Sequence, residues 1–522
     1  MKKWILLLLF VPLMFASCQK KATLSPLLNT IPKNAMFVLA VDNKQLIEKG
    51  GFNKLSQFKF YQDIVESLEG DKNKDLTLNI LNDPKKMGLN IDNAYIFVEM
   101  NIQDLIDETD MHGKSIRAVY VIGMKDQNLF EQNLLKLADL QANDFQDKLS
   151  YKMFTPDAGD ACLVWNEKLF FVFVGNTEGV NFDYYFRLPE EDRLMNLPDF
   201  NNFSQRSSDM SLWFSMQMYA DLNKLIESHY SMNIPVLDDM ADMNIHAYLD
   251  FNNDEIKMEV ITTPKEKMDA FYEKYPVIKW ESDQNMLKDF PQTSYLAFKI
   301  ALNFPQYIKI LKETMSGVGA QSYEIEQIVE ALENSEVNAV LNALGGDIMF
   351  SLYGFAEGPM SMPLLGLSFT VNSEADFHKL LALVPDEMMY DTGNYYELNF
   401  GMAAAYFAFK DNRVFITADE KSIETFVAGD NAKNITANAA IGKAVKTSPS
   451  LFYVNLNLDE YPKAIKDLIK MGADQKTISA ISIFKDFSIY MNSKYDAQFS
   501  LKFKSGKENS LKQLVKLIES VN

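Results

Sequence analysis

Cys18 is the residue whose setting points most directly to a chemical step. Lys2 and Lys3 open the chain, Trp4 to Met14 is almost wholly apolar, and Phe15-Ala16-Ser17 leads into the cysteine. A charged head, a short apolar core and small residues before a break make an export signal. The Ala16-Ser17-Cys18 step resembles a bacterial lipobox and departs from it at Phe15, where leucine is commoner. The chemistry expected is cleavage after Ser17 and transfer of diacylglycerol to the Cys18 thiol, with acyl chains such as palmitate as the anchor. A membrane-crossing helix needs about 20 apolar residues, and this run is shorter. An ordinary cleaved signal has no use for the cysteine. Gln19-Lys20-Lys21 follows, with no acidic stretch. The expectation is an outer-membrane anchor facing the periplasm, with the cell surface left open.

The other reactive residue types are sparse. Cys162 is the second of two cysteines, so lipidation of Cys18 leaves no partner for an intrachain disulfide. It lies in the strand-like run Ala-Cys-Leu-Val-Trp and reads as a small buried hydrophobe. A catalytic thiol needs a nearby base and an electropositive setting, and nothing local supplies them. The four histidines, His112, His229, His246 and His378, share no zinc-ligand spacing and no His-Glu-x-x-His pattern. Gly366-Leu367-Ser368-Phe369-Thr370 lacks the last glycine of a nucleophile elbow. Gly345-Gly346-Asp347 precedes a strand, which is the wrong context for a phosphate loop. Asp71 to Thr77 alternates oxygen ligands as a calcium loop does. However, its sixth position is Leu76 rather than glycine, and its twelfth is Asn82 rather than glutamate. A plain polar loop is the preferred reading. Glu190-Glu191-Asp192 and Asp238-Asp239 read as solvated turns. No catalytic, cofactor-binding or metal-binding residue is assigned.

Charge narrows the partners. There are 71 acidic against 51 basic residues, for a formal charge of −20, which becomes −22 once Lys2 and Lys3 leave with the signal. Such a chain repels the phosphate backbone of nucleic acids. It also repels anionic lipid, so the acyl chains on Cys18 must carry membrane attachment. The 27 Met, 37 Phe and 23 Tyr are read mainly as core. Tyr184-Tyr185-Phe186 and Asn394-Tyr395-Tyr396 are the clusters to check for exposure.

The elements that would position these residues recur in the same order twice. Met36 to Val41 and its following helix match Tyr295 to Ile300 and theirs. Ala94 to Val98 matches Asp347 to Ser351. A helix carrying Phe130 and Leu134 matches one carrying Phe377 and Leu381. The hairpin Ala161 to Gly175 matches Ala404 to Thr417, and Ser211 to Phe214 matches Ser450 to Tyr453. The offset shrinks steadily from Phe37/Leu296 through Phe130/Phe377 to Leu212/Leu451, as small loop deletions in one half would make it. The fold expected is α+β: two duplicated domains, each built from β-α-β-β-α units, with mainly antiparallel or mixed sheets and helices on one face. The boundaries are a signal peptide at 1–17, a lipidated tether at 18–30, a first domain at 31–283 and a homologous second domain at 291–522.

Three features together carry a resemblance. They are the lipobox at Cys18, Ile31-Pro32-Lys33-Asn34-Ala35 before an apolar strand, and Asn82-Asp83-Pro84-Lys85-Lys86-Met87-Gly88-Leu89-Asn90 before the next. On these the chain resembles an uncharacterised family of Bacteroidetes lipoproteins, classed only as a domain of unknown function, over essentially its whole length. The resemblance implies an envelope location and no activity.

The leading functional expectation is a lipid-anchored, non-enzymatic binding or structural module for a protein or envelope partner, with no cofactor. An envelope hydrolase and a lipoprotein binding glycan or hydrophobic ligand stay open. Cys18→Ser is expected to leave the chain unprocessed or released from membranes, because several acyl chains anchor stably at about 0.8 kcal/mol per buried CH₂. Fractionation and intact-mass measurement check this. Normal membrane retention without a mass change would refute lipidation.

Overall fold

The computed structural model describes residues 26–100, 116–156, 161–175, 177–230, 233–317, 335–356, 361–399, 404–429 and 431–521. The signal, Cys18 and His112 lie outside them. The chain divides into two compact units. The first comprises Met1–Ser231, Leu237–Pro264 and Gly506–Asn522, and the second Met232–Val236 and Lys265–Ser505.

The first unit holds ten strands: β1 (Ala35–Asp42), β2 (Leu89–Met100), β3 (Ile116–Met124), β4 (Gln146–Asp147), β5 (Lys152–Phe154), β6 (Ala161–Trp165), β7 (Leu169–Gly175), β8 (Met210–Ser215), β9 (Asn244–Phe251) and β10 (Glu255–Thr263). All pair antiparallel, in the order β4-β5-β6-β7-β3-β2-β1-β8-β9-β10. The second unit holds ten more: β11 (Leu296–Ala301), β12 (Leu344–Phe355), β13 (Pro363–Val371), β14 (Met389–Asp391), β15 (Tyr396–Asn399), β16 (Ala404–Lys410), β17 (Arg413–Thr417), β18 (Ser450–Asn455), β19 (Phe484–Met491) and β20 (Asp496–Phe503). Their order is β14-β15-β16-β17-β13-β12-β11-β18-β19-β20, again antiparallel throughout. The fold is α+β, and the two strand orders are the same.

Helices enter where side chains can cap them. Asp42 accepts from the Gln45 N–H after β1, Asp126 from Leu129 after β3, Ser373 from Asp376 after β13 and Asp419 from Ser422 after β17. Each satisfies an N–H that a helix start leaves open. Gly346 in β12 takes a positive φ, and a Cβ there would sit 1.9 Å from the Leu302 carbonyl oxygen. The Gly345-Gly346 pair therefore serves a tight backbone approach.

Each sheet feeds buried cores on both faces at one pair of strands, β6–β7 in the first unit and β16–β17 in the second. Cys162, Val164, Phe171 and Phe173 enter one core with Phe182, Tyr185 and Phe200. Their neighbours Leu163, Trp165, Phe170 and Val172 enter another with Phe58, Ile80 and Phe130. That explains the unbroken apolar runs of β6 and β7, which a sheet with one wet face would not show. In the second unit Phe415 and Ala408 face one core, and Val414 and Phe407 the other. The helix Ser510–Val521 belongs to the first unit, where Leu511 and Leu514 pack with Val41, Leu46 and Phe251. The Ser510 N–H donates to the Asn252 carbonyl at 2.8 Å. The division between units thus runs at Pro264/Lys265 and returns at 505/506.

Lys299, on β11, is fully buried. Its ammonium donates to the carbonyls of Val445 (2.7 Å) and Ser448 (3.0 Å) and to Ser282 Oγ (2.8 Å). Burial pulls its pKa down to about 8, against the opposing pull of Asp347 and Asp283. The unfolded chain keeps this proton up to about 10.5, so between those values it binds more protons than the folded chain. Stability contributed at this site therefore rises as pH climbs from about 8 to 10.5. Lys299→Met is expected to abolish that rise and to leave two carbonyls unfilled, at roughly 1–3 kcal/mol each. Urea unfolding of both proteins across this range checks it. An identical alkaline rise in the variant would show that another group is responsible.

Candidate functional site

The first unit contains a cavity of about 480 Å³, within the range typical of small-ligand sites. Leu27, Met124, Leu169, Phe186 and Leu188 supply apolar wall, Asn90 and Asn93 amides, and Lys168, Arg187 and Arg193 cations, with Glu167 beside them. None of these residues is close to all the others in sequence. Asn90 sits at a register irregularity of β2 opposite Gly123, and a Cβ on Gly123 would lie 3.2 Å from that of Asn90. Lys168 is held in the β6–β7 turn, where Asn166 Oδ1 accepts from the N–H groups of Lys168 (2.9 Å) and Leu169 (3.0 Å). The Lys168 carbonyl accepts from the Met124 N–H at 2.8 Å. Arg187 follows the short helix Phe182–Phe186. Arg193 donates through Nε to the Leu188 carbonyl at 3.1 Å. The segment around it is clamped by Lys33 N–H to Asp192 O (2.8 Å) and Leu194 N–H to Ile31 O (2.9 Å).

Tyr185 forms part of the same wall. Its hydroxyl donates to Glu99 Oε2 at 2.5 Å and accepts from Arg117 Nη1 at 3.0 Å. Burial raises the Glu99 pKa, opposed by the hydrogen bond from Tyr185 and the charge of Arg117. A buried carboxyl with a raised pKa is the kind of group acid–base catalysis uses. Here it is engaged by two fixed partners. The cavity offers three cations and two amides beside an apolar wall, in a chain that is otherwise strongly acidic. That set suits an anionic group carried on an apolar body. Guanidinium groups pair bidentately with carboxylate and phosphate.

The residues singled out from sequence fall elsewhere. Cys162 is buried in β6, receives the Thr155 hydroxyl at 3.6 Å, and has its pKa raised by burial. His246 is 4% exposed. Its Nε2 lies 2.9 Å from Asp199 Oδ2 and 3.3 Å from Thr263 Oγ1. A catalytic triad needs carboxylate and hydroxyl on opposite ring nitrogens, so one nitrogen serving both is a structural arrangement. Burial opposes the Asp199 charge, but hydrogen bonds from His246, Thr263 and Trp213 outweigh it and hold the pKa low. His229 meets Ser228 and the Leu225 carbonyl at the exposed end of its helix, and His378 lies 4.0 Å from Glu374 at the surface. Asp71 Oδ1 accepts from the Asn73 N–H, and a helix starts at Lys74, inside the stretch weighed as a calcium loop. Among the described residues no three His, Cys, Asp or Glu side chains gather as a metal site. Tyr185 is buried, while Tyr396 stacks on Phe407 and Tyr395 donates to Glu420. Neither aromatic cluster is a free platform.

The second unit has a cavity of about 320 Å³, walled by Ser294, Asn438, Asn455, Glu460, Lys485 and Lys502 among others. Glu460 there accepts from Asn455 and Asn457. Its charges are of both signs and its wall is mostly polar. Among the described residues no helix is long and apolar enough to cross a membrane.

A search of curated proteins finds no match. One solved structure, titled "Structure of crystal form I of TP0453", aligns over 50% of this chain and 90% of its own at 10% identity and a TM-score of 0.24. That similarity is too low to carry an argument. The family model described as "Domain of unknown function (DUF4836)" matches residues 27–511, most of the sequence and both units, and the chain belongs to that family.

Proposed function

We propose that this is a lipid-tethered envelope protein that binds an anionic amphiphile in the cavity of its first unit, without transforming it. The observation that carries the reading is the convergence of Lys168, Arg187 and Arg193 on an apolar wall in a chain of net charge −20. Cations drawn from separate segments into one concavity, against the prevailing charge, are a better mark of a ligand than a flat apolar face is. The export signal and Cys18 support the envelope address, facing the periplasm from the outer membrane. We further infer that the two units descend from one duplicated domain. Their common strand order supports that reading, and the cavity then distinguishes one half from the other.

The test uses dodecyl phosphate as probe, with inorganic phosphate and dodecanol as its two halves. Calorimetry should show dodecyl phosphate binding more tightly than either half, with a negative heat-capacity change from apolar burial. Lys168→Glu and Arg187→Glu should each weaken it about tenfold or more, since a hydrogen bond to a charged group is worth roughly 1.5–3 kcal/mol. No binding, or binding indifferent to both substitutions, would remove the proposal. Turnover of a bound ester that is lost in Glu99→Gln would favour the hydrolase reading instead.

A further inference from the structure

The helix Lys463–Gly472 in the second unit contains no buried residue, and neither does the following helix Gln475–Ser482. Its sequence, KAIKDLIKMG, is sharply two-sided. At about 100° per residue, Ala464, Ile465, Leu468, Ile469, Met471 and Gly472 fall on one side and Lys463, Lys466, Asp467 and Lys470 on the other. The protein uses only part of the apolar side. Ile465 and Ile469 are half-buried, whereas Leu468 is 56% and Met471 83% exposed. A Cβ on Gly472 would meet nothing within 4 Å. The solvent-facing arc therefore runs from Leu468 and Met471, past Asp467, to Lys463 and Lys470. Among the described residues, none of Lys463, Lys466 and Lys470 has a carboxylate within 4.0 Å, and Lys466 acts on Asp459 only through its charge. Three lysines against one aspartate make this helix cationic in a strongly acidic chain.

We propose that this helix is a second membrane contact: it lies in the plane of an anionic bilayer, with Leu468 and Met471 in the acyl boundary and Lys463, Lys466 and Lys470 among the headgroups. A short two-sided helix with lysines on its polar face is built for that position, and lysine stems can run along apolar surface while their ammonium groups reach phosphate. Charge complementarity selects an anionic lipid surface over a protein patch. The proposal is independent of the cavity and uses the lipid tether only for proximity to the bilayer. It also refines the expectation from overall charge, since the acidic chain is locally reversed at this helix.

The experiment places an environment-sensitive dye at Met471→Cys in the full, lipidated chain, with Leu149→Cys as the control position, 95% exposed. Cys162 is buried, so the introduced thiol takes the label. The protein is reconstituted on vesicles of phosphatidylcholine, alone or mixed with phosphatidylglycerol. The dye at 471 should shift to the blue and be quenched by bromine-bearing lipid on the mixed vesicles, while the dye at 149 should not. Lys463→Glu/Lys466→Glu/Lys470→Glu should reduce the inserted fraction at least about tenfold on anionic vesicles and leave helix content unchanged by circular dichroism. Equal quenching at 471 and 149 overturns the proposal. So does a blue shift that appears only when envelope proteins are added, which would assign the face to a protein partner. Failure of the anchor reading is read separately, from flotation of Cys18→Ser with the same vesicles.

Discussion

The structure depends on β1 and β11 being paired along both edges. β1 bonds β2 on one side and β8 on the other, and β11 does the same with β12 and β18. Each thus joins a six-strand run to a three-strand run and leaves no open edge at the middle of its sheet. A central strand has no backbone group to spare for water. Backbone pairing leaves the faces to be settled by the side chains. At β6 and β7 both faces feed buried cores, whereas at β11 and β18 Phe298 and Phe452 stay 37% exposed.

Burial between layers also decides what the titratable groups can do. Polar side chains caught between layers need partners on the spot. Asp289 is held by Arg413 at 2.7 Å and Ser368 at 2.8 Å, even as burial pushes its pKa up to about 7. Asp209 is held by Lys49 at 2.6 Å and by the Phe251 N–H at 2.6 Å. His246 and Asp199 hold each other, and Lys299 is divided among two carbonyls and a hydroxyl. The environments of these groups account for them as parts of the packing. The shifts of Asp289 and Lys299 alone would have pointed to catalysis; the hydrogen-bond geometry points the other way.

The α+β class and many of the strands were legible because alternation and apolar runs are local patterns. From residue 36 to 137 the chain runs through β1, its capped helix, β2, β3 and the helix Gln127–Ala138, with two more helices, Lys59–Ser67 and Lys74–Asn82, inserted before β2. Register was less legible. The sequence match of Phe37 with Leu296 and Leu212 with Leu451 places Leu451 opposite Phe298, because Leu39 pairs with Leu212. Leu451 in fact pairs with Lys299. A slip of one residue exchanges the two faces of a strand, and here it hides that a lysine occupies a fully buried position. The final helix shows a related limit: amphipathic spacing says that Leu511 and Leu514 need a partner, not which unit provides it. The cavity had no signature at all, since Asn90, Lys168, Arg187 and Arg193 meet only through folding.

The common strand order narrows where the two units can differ in function. A side chain in a paired, doubly covered strand is fixed by its neighbours, so differences must accumulate in the connections. The cations at the cavity come from such places: Lys168 from the β6–β7 turn, Arg187 and Arg193 from the segment between β7 and β8. In the second unit the turn between β16 and β17 carries Asp411 and Asn412, both at positive φ. The segment between β17 and β18 is built from the capped helix Glu420–Ala428 and the helix Gly442–Thr447. That unit has Lys485 and Lys502 at its own cavity beside Glu460 and Asp486, and three further lysines on the exposed helix Lys463–Gly472 between β18 and β19. One sheet plan therefore supports two surfaces of different character, a concave cationic site and an exposed amphipathic helix, because the plan leaves the connecting segments free to vary.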